Sequence, residues 1–381
     1  MKLSECVPCI KGFMLILASL LCVRIGNAQP KSDFSVDTSS ANQYLKMAKS
    51  SVSGKMPTDS EWESLFASAA YKALLDNIHW DKEEFKNNVR SAFEIVYDPA
   101  NKEKCDSIAL ILQDLNDVSN ELPFFVSTAL SIRDNLDKYT DILASVDMDS
   151  IINTANSMAL ELVPGKGAGL APQSSPVYFI VWDLECRNLS PGVFLDVNTF
   201  FYNGLQAATE ALAHELHHFY LGPVFDSVYA DDIKDGAVIA LAENMREGVA
   251  DIINKKSMPL QELVPYGESI LRVYNADYLS SPEVLAELDS VTCSYLDGNI
   301  SEKEYFRKAG NCAHFGGHTT GDFMVFLIRD QLGIDAVVAS VGDLDAFVDN
   351  YNEAARKAGT YVFSDRFTDH IHSLSQPRRR K

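Results

Sequence analysis

Two histidines and a glutamate near the middle of the chain have the types and spacing to bind a metal and use it. They lie in Ala211-Leu-Ala-His214-Glu215-Leu-His217-His218-Phe-Tyr220, an H-E-x-x-H pattern. Four residues advance a helix by about one turn, so the rings of His214 and His218 project from one face. That geometry supplies two ligands of a tetrahedral Zn2+, and Glu215 beside the first can act on a water in the open position. His217 falls about 100° around the helix from His218 and is not expected to be a ligand. A catalytic zinc needs a third protein ligand. Downstream, Glu243, Glu247 and Asp251 recur every four residues and so share a helix face. Spacing alone leaves the choice between them open, and a solvent-facing acidic stripe would read the same.

The motif has to ride on a half-buried helix. Leu205, Ala208, Leu212 and Leu216 recur at helical spacing, Asn203 with Gln206 offers an N-cap, and Gly222-Pro223 predicts the end. Just upstream, residues 177–182 and 192–197 are rich in β-branched and aromatic types and predict strands that run into this helix. A sheet edge there can hold an extended peptide as one more strand, or the two strands are a plain structural hairpin. Residues 58–163 read as helices: Thr58 with Glu61, and Asp81 with Glu84, look like capping boxes, Asp98-Pro99 is a break, and further helices start near Lys102, Leu122 and Asp149. Their aromatics fall at core spacing. The Gly- and Pro-rich stretch 164–172 marks a boundary. Beyond the motif, a helix is expected over about 237–256, others open at Ser281-Pro282 and at Ser301 with Glu304, and another begins near Thr319.

H-E-x-x-H followed by Glu247-Gly-Val-Ala and Glu247-x-x-x-Asp251 resembles the gluzincin metallopeptidases, which include thermolysin-like and aminopeptidase N-like enzymes. The resemblance implies Glu247 as third ligand, Asp251 as the carboxylate that orients a ligand histidine, and Gly248 as the place where helices approach closely. Over residues 192–330 the chain is most similar to a bacterial family of zinc-dependent peptidases catalogued as a domain of unknown function. His318-Thr-Thr-Gly321-Asp-Phe-Met324 resembles the Y-x-x-G-x-x-M segment of related peptidases, with His318 in the tyrosine's place. By that likeness His318 would stabilise an oxyanion, with His314 as the alternative. The expected fold is α+β, mainly α: a helical N-terminal region (58–163), then a zincin-like catalytic domain (173–375) with a small antiparallel sheet beside the H-E-x-x-H helix.

The net charge of −20 argues against nucleic acid or an anionic membrane surface as a partner. Lys2 and Lys11, an apolar run from Phe13 to Val23, and Gly26-Asn-Ala28 predict a cleavable signal peptide over 1–28, hence a secreted or periplasmic protein without stable membrane insertion. Residues 29–57 read as a loose lead-in and 376–381 as a solvated basic tail. Cys105, Cys186, Cys293 and Cys312 remain after cleavage; an even number in an exported chain predicts two disulfides. The reaction implied is hydrolysis of a peptide bond in a peptide or protein substrate, with one Zn2+ per chain and Glu215 as general base. Two rival readings differ in what they require of the sequence. A carboxylate-bridged di-iron site needs a second E-x-x-H, which the chain lacks. An exported binding protein keeping the zinc as scaffold would have no need of Glu215.

Overall fold

The computed structural model describes residues 33–77, 81–111, 122–167, 174–181, 186–189, 191–228, 235–262 and 267–375. The expected signal peptide, His79 and the basic tail lie outside them. The chain opens with β1 (Asp33–Asp37), α1 (Ser39–Val52), α2 (Asp59–Phe66), α3 (Ala69–Asn77) and α4 (Lys82–Tyr97). Next come α5 (Lys102–Ile111), α6 (Leu122–Asp134), α7 (Leu136–Ser145) and α8 (Met148–Glu161). Strands β2 (Ser174–Ile180), β3 (Cys186–Leu189) and β4 (Gly192–Asp196) lead through the short α9 (Val197–Phe201) into α10 (Leu205–Val228), which carries the motif. Then follow α11 (Gly236–Asn254), α12 (Gly267–Leu279), α13 (Ser281–Leu296), α14 (Glu302–Gly310), α15 (His318–Leu332), α16 (Ile334–Ser340), α17 (Leu344–Ala358) and α18 (Asp365–Ser375).

The fold is mainly helical with one small sheet. Several helix starts follow from local chemistry. Thr58 accepts from the Glu61 N–H while the Glu61 carboxylate accepts from the Thr58 N–H at 2.8 Å, the reciprocal box that frees no donor into solvent. Asp81 caps α4 and Ser301 caps α14 by a side-chain oxygen that accepts from backbone N–H groups of the first turn.

The sheet is mixed, in the order β1-β2-β4-β3. The antiparallel expectation is corrected here: β1 with β2 and β2 with β4 are parallel, and β3 with β4 alone is antiparallel. The chain leaves β2, runs along the edge as β3 and returns as β4 between them, so residues 177–180 pair in parallel with 193–196 and the two segments are not a hairpin. Every residue of β4 is buried, as in a strand covered on both faces. The loose lead-in is corrected as well. Residues 33–37 pair in register with 174–178, and α1 buries Tyr44, Leu45 and Met47. A partner some 140 positions away cannot be seen from a local pattern.

α10 lies across the sheet. At the β3 edge the Asn188 side chain donates to the Glu215 carbonyl at 3.5 Å, and at the other edge Phe34 of β1 meets Phe219 edge-on, centroids 5.6 Å apart. Its other side docks on α8, where the Tyr220 hydroxyl donates to the Asn156 side chain and His217 Nε2 lies 3.4 Å from the Leu162 carbonyl. The helix starts after Gly204 (φ +88°), one residue later than a cap at Asn203 would place it. It also runs through Gly222-Pro223 to Val228, because an established helix can carry a proline at the cost of one backbone hydrogen bond.

α11 crosses α15 at glycines. A Cβ on Gly248 would lie 2.4 Å from the Gly321 carbonyl, and one on Gly321 would lie 2.1 Å from the Asn244 carbonyl, so neither position can hold a larger residue without parting the helices.

The disulfide expectation is also corrected. Among the described residues, Cys105, Cys186, Cys293 and Cys312 form no disulfide with one another. Cys105 is on α5, Cys186 on β3, Cys293 on α13 and Cys312 after α14; a bridge needs two Cα atoms within about 7 Å. Cys293 Sγ instead donates to Asp289 and Cys312 Sγ to the Lys308 carbonyl. Among the described residues, no helix is long and apolar enough to cross a membrane.

Candidate metal centre

α10 and α11 bring three acceptor atoms together. His214 Nε2 and His218 Nε2 are 3.0 Å apart; Glu247 Oε2 lies 3.1 Å from His218 Nε2 and 3.7 Å from His214 Nε2. Ligands held tetrahedrally at about 2.0–2.1 Å from Zn2+ stand about 3.3 Å from one another, and the three distances bracket that value. Two imidazole lone pairs and a carboxylate crowded together inside the protein repel unless a cation sits among them. The residues therefore fit zinc in number, type and spacing. Their ligand atoms form one group within 4.8 Å, and no other group of this kind occurs among the described residues.

Asp251, one turn beyond Glu247 on α11, lies between two histidines. Its Oδ1 lies 3.3 Å from His214 Nδ1 and its Oδ2 lies 2.7 Å from His318 Nδ1. His318 starts α15 after three left-handed residues, Phe315 (φ 48°), Gly316 (φ 68°) and Gly317 (φ 101°). A Cβ at Gly317 would sit 2.6 Å from the Glu243 carbonyl, so this turn presses directly on α11. The result aims His318 Nε2 to within 3.5 Å of Glu247 Oε2. Behind Asp251, Lys255 Nζ donates to Asp251 Oδ2 at 2.5 Å and to Asp322 Oδ2 at 3.0 Å, and the Tyr274 hydroxyl donates to the same Asp322 oxygen at 2.9 Å.

Burial and charge pull in opposite directions here. Burial opposes a charge on His214, yet the carboxylates of Asp251 and Glu247 outweigh it and hold its pKa well above the usual histidine value. Burial dominates at His218 and lowers its pKa. For Glu247, burial is overcome by His218, His214 and His318, which keep the carboxylate ionised. In the protein alone, burial and the Glu247 charge, against His214, push Glu215 up to about 8. A divalent cation at the neighbouring ligands would draw it back down, towards the range of a working base.

Glu215 is buried beside these atoms, and its carboxylate is not part of the ligand group. Glu243 is outside the group too, paired with Arg246 at 2.6 Å. His314 faces Asp277 at 2.6 Å, so it is His318 that the fold brings to the site. His217 is fully buried, and burial, reinforced by His218, lowers its pKa to about 3. His370 pairs with Asp235 and His372 with Asp349. Residues not singled out from the sequence are Arg246, Lys255, Tyr274 and Asp322. Two of these had a local signal, since Lys255 is four residues past Asp251 and Asp322 four past His318. Tyr274, on α12, had none.

One family model, described as "Putative zinc dependent peptidase (DUF5700)", matches residues 62–360, well over half of the chain. No curated protein and no solved structure matches it.

Proposed function

The chain belongs to this peptidase family, and from that premise we propose that it hydrolyses peptide bonds with one zinc held by His214, His218 and Glu247. The observation that carries the reading is the convergence of two Nε2 atoms and one carboxylate oxygen at tetrahedral spacing, with a buried carboxylate beside them that takes no part in the group. Bound zinc would supply the Lewis acid that polarises the scissile carbonyl and makes water nucleophilic near neutral pH. Glu215 accepts the attacking water's proton and passes it to the leaving nitrogen. Asp251 keeps the His214 ring turned so that Nε2 faces inward. His318 Nε2, turned toward the site by the Nδ1 contact with Asp251, is placed to donate to the developing oxyanion. Edge strand β3, bound to α10 through Asn188 and Glu215, offers a peptide an extended partner next to the ligands. The signal-like N-terminus supports action outside the cytoplasm.

The test is metal analysis of the mature protein followed by a peptide-library digest. About one zinc per chain, and cleavage that a chelator abolishes and zinc restores, are expected. Cleavage indifferent to chelation, or no cleavage with zinc bound, contradicts the reading.

A further inference from the structure

Arg246 stands one residue before Glu247 and treats that carboxylate's two oxygens unequally. Its Nε and Nη2 both donate to Oε1, at 3.2 and 3.0 Å, while Oε2 is the oxygen that faces the two histidine Nε2 atoms. The same Nη2 lies 2.6 Å from Oε2 of Glu243, one turn back along α11. We propose that Arg246 is a positioning residue for the metal: it occupies Oε1, so that Glu247 presents Oε2 as its single ligand oxygen, and Glu243 anchors the guanidinium in that pose. This rests on the metal reading above.

The geometry matters because a carboxylate free to rotate can chelate with both oxygens or swing away. Chelation by both would fill the position that a catalytic zinc keeps open. Two N–H groups converging on Oε1 hold that oxygen in place better than a lysine's single point charge would. Electrostatics cannot be the purpose. A guanidinium near the ligands repels a divalent cation, and Arg246 already disfavours protonation of His218. Nor is the pair there for the fold. The Arg246 and Glu243 side chains are 42% and 38% exposed, and ion pairs at that exposure add little to stability. Glu243, an alternative third ligand by spacing, is thus one step removed from the metal and acts through Arg246.

The experiment measures zinc affinity by chelator competition in the full chain, for the parent, Arg246→Lys, Arg246→Gln and Glu243→Gln, with the unfolding midpoint of each metal-free protein alongside. Arg246→Lys keeps the charge and loses the fork, so its affinity should fall about 10- to 100-fold, the usual worth of an orienting partner. Arg246→Gln should fall similarly, although it removes a repelling charge. Glu243→Gln should lose less, because the fork to Glu247 survives. Metal-free midpoints should match the parent's. The proposal is overturned if Arg246→Lys binds zinc as tightly as the parent, if Arg246→Gln binds it more tightly, or if every loss of affinity comes with an equal loss of metal-free stability. A parent that binds no zinc removes the metal reading itself, and this proposal with it.

Discussion

Asp251 stands between His214 and His318: Oδ1 is 3.3 Å from one ring's Nδ1 and Oδ2 is 2.7 Å from the other's. One carboxylate thus contacts both the proposed ligand His214 and the proposed oxyanion donor His318. Replacing Asp251 by Asn should lower zinc affinity about 10- to 100-fold and reduce turnover even at saturating zinc. His318→Ala should leave zinc affinity near the parent's and lower kcat by about 10²–10³, as loss of one oxyanion donor does. Chelator competition and peptide-cleavage kinetics on both variants separate the two effects. Equal zinc loss in both would make His318 a ligand.

Glu247→Ala removes one of the three proposed ligands and should strip the metal from a dialysed sample. Glu243→Ala should keep most of it, because Glu243 touches Arg246 and not the ligand group. Atomic absorption on the two proteins decides between them; a zinc-loaded Glu247 variant would return the third position to Glu243.

The motif pair was legible because its geometry is local: four residues on one helix put two rings on one face. Glu247 was legible only through the family pattern, since Glu243 shares its spacing and helix face. What excludes Glu243 is the lean of α11 against α10 and the grip of Arg246, both tertiary. His318 was found by position in a segment, but its hold on Asp251 depends on the left-handed turn at 315–317, which nothing in the local pattern announces. The parallel pairing of β1 with β2 joins segments far apart in the chain and was missed for that reason. The cysteine count misled because it says nothing of where Cα atoms stand.

The crossing of α11 and α15 should be intolerant of a single methyl. Gly248→Ala puts a Cβ 2.4 Å from the Gly321 carbonyl, and rigid backbone has no side chain to move aside. A loss of about 2–3 kcal/mol is expected in urea unfolding of the metal-free protein. An unchanged midpoint would show that the helices are not in contact there.

Asp235 caps α11 through the Ala237 and Val238 N–H groups and accepts from Tyr305 and His370. Burial works against its charge, but His370 and Tyr305 prevail and depress its pKa below 3.8. A depressed carboxyl contributes stability above its unfolded pKa and loses it as pH falls through the lower, folded value. Asp235→Ala should therefore cost about 2 kcal/mol at pH 7, and the gap to the parent should narrow below pH 3.8. Urea unfolding at pH 7 and pH 3 reads both; a gap that widens in acid reverses the sign and rejects the assignment.

In the proposed reaction Glu215 acts on the water and is not a ligand. Glu215→Gln keeps the size and hydrogen-bonding capacity of the side chain but cannot take a proton at neutral pH. This variant should bind as much zinc as the parent while hydrolysis of a cleavable library peptide falls by about 10²–10⁴. A zinc-loaded Gln variant that cleaves the same peptide at the parent's rate would contradict that role.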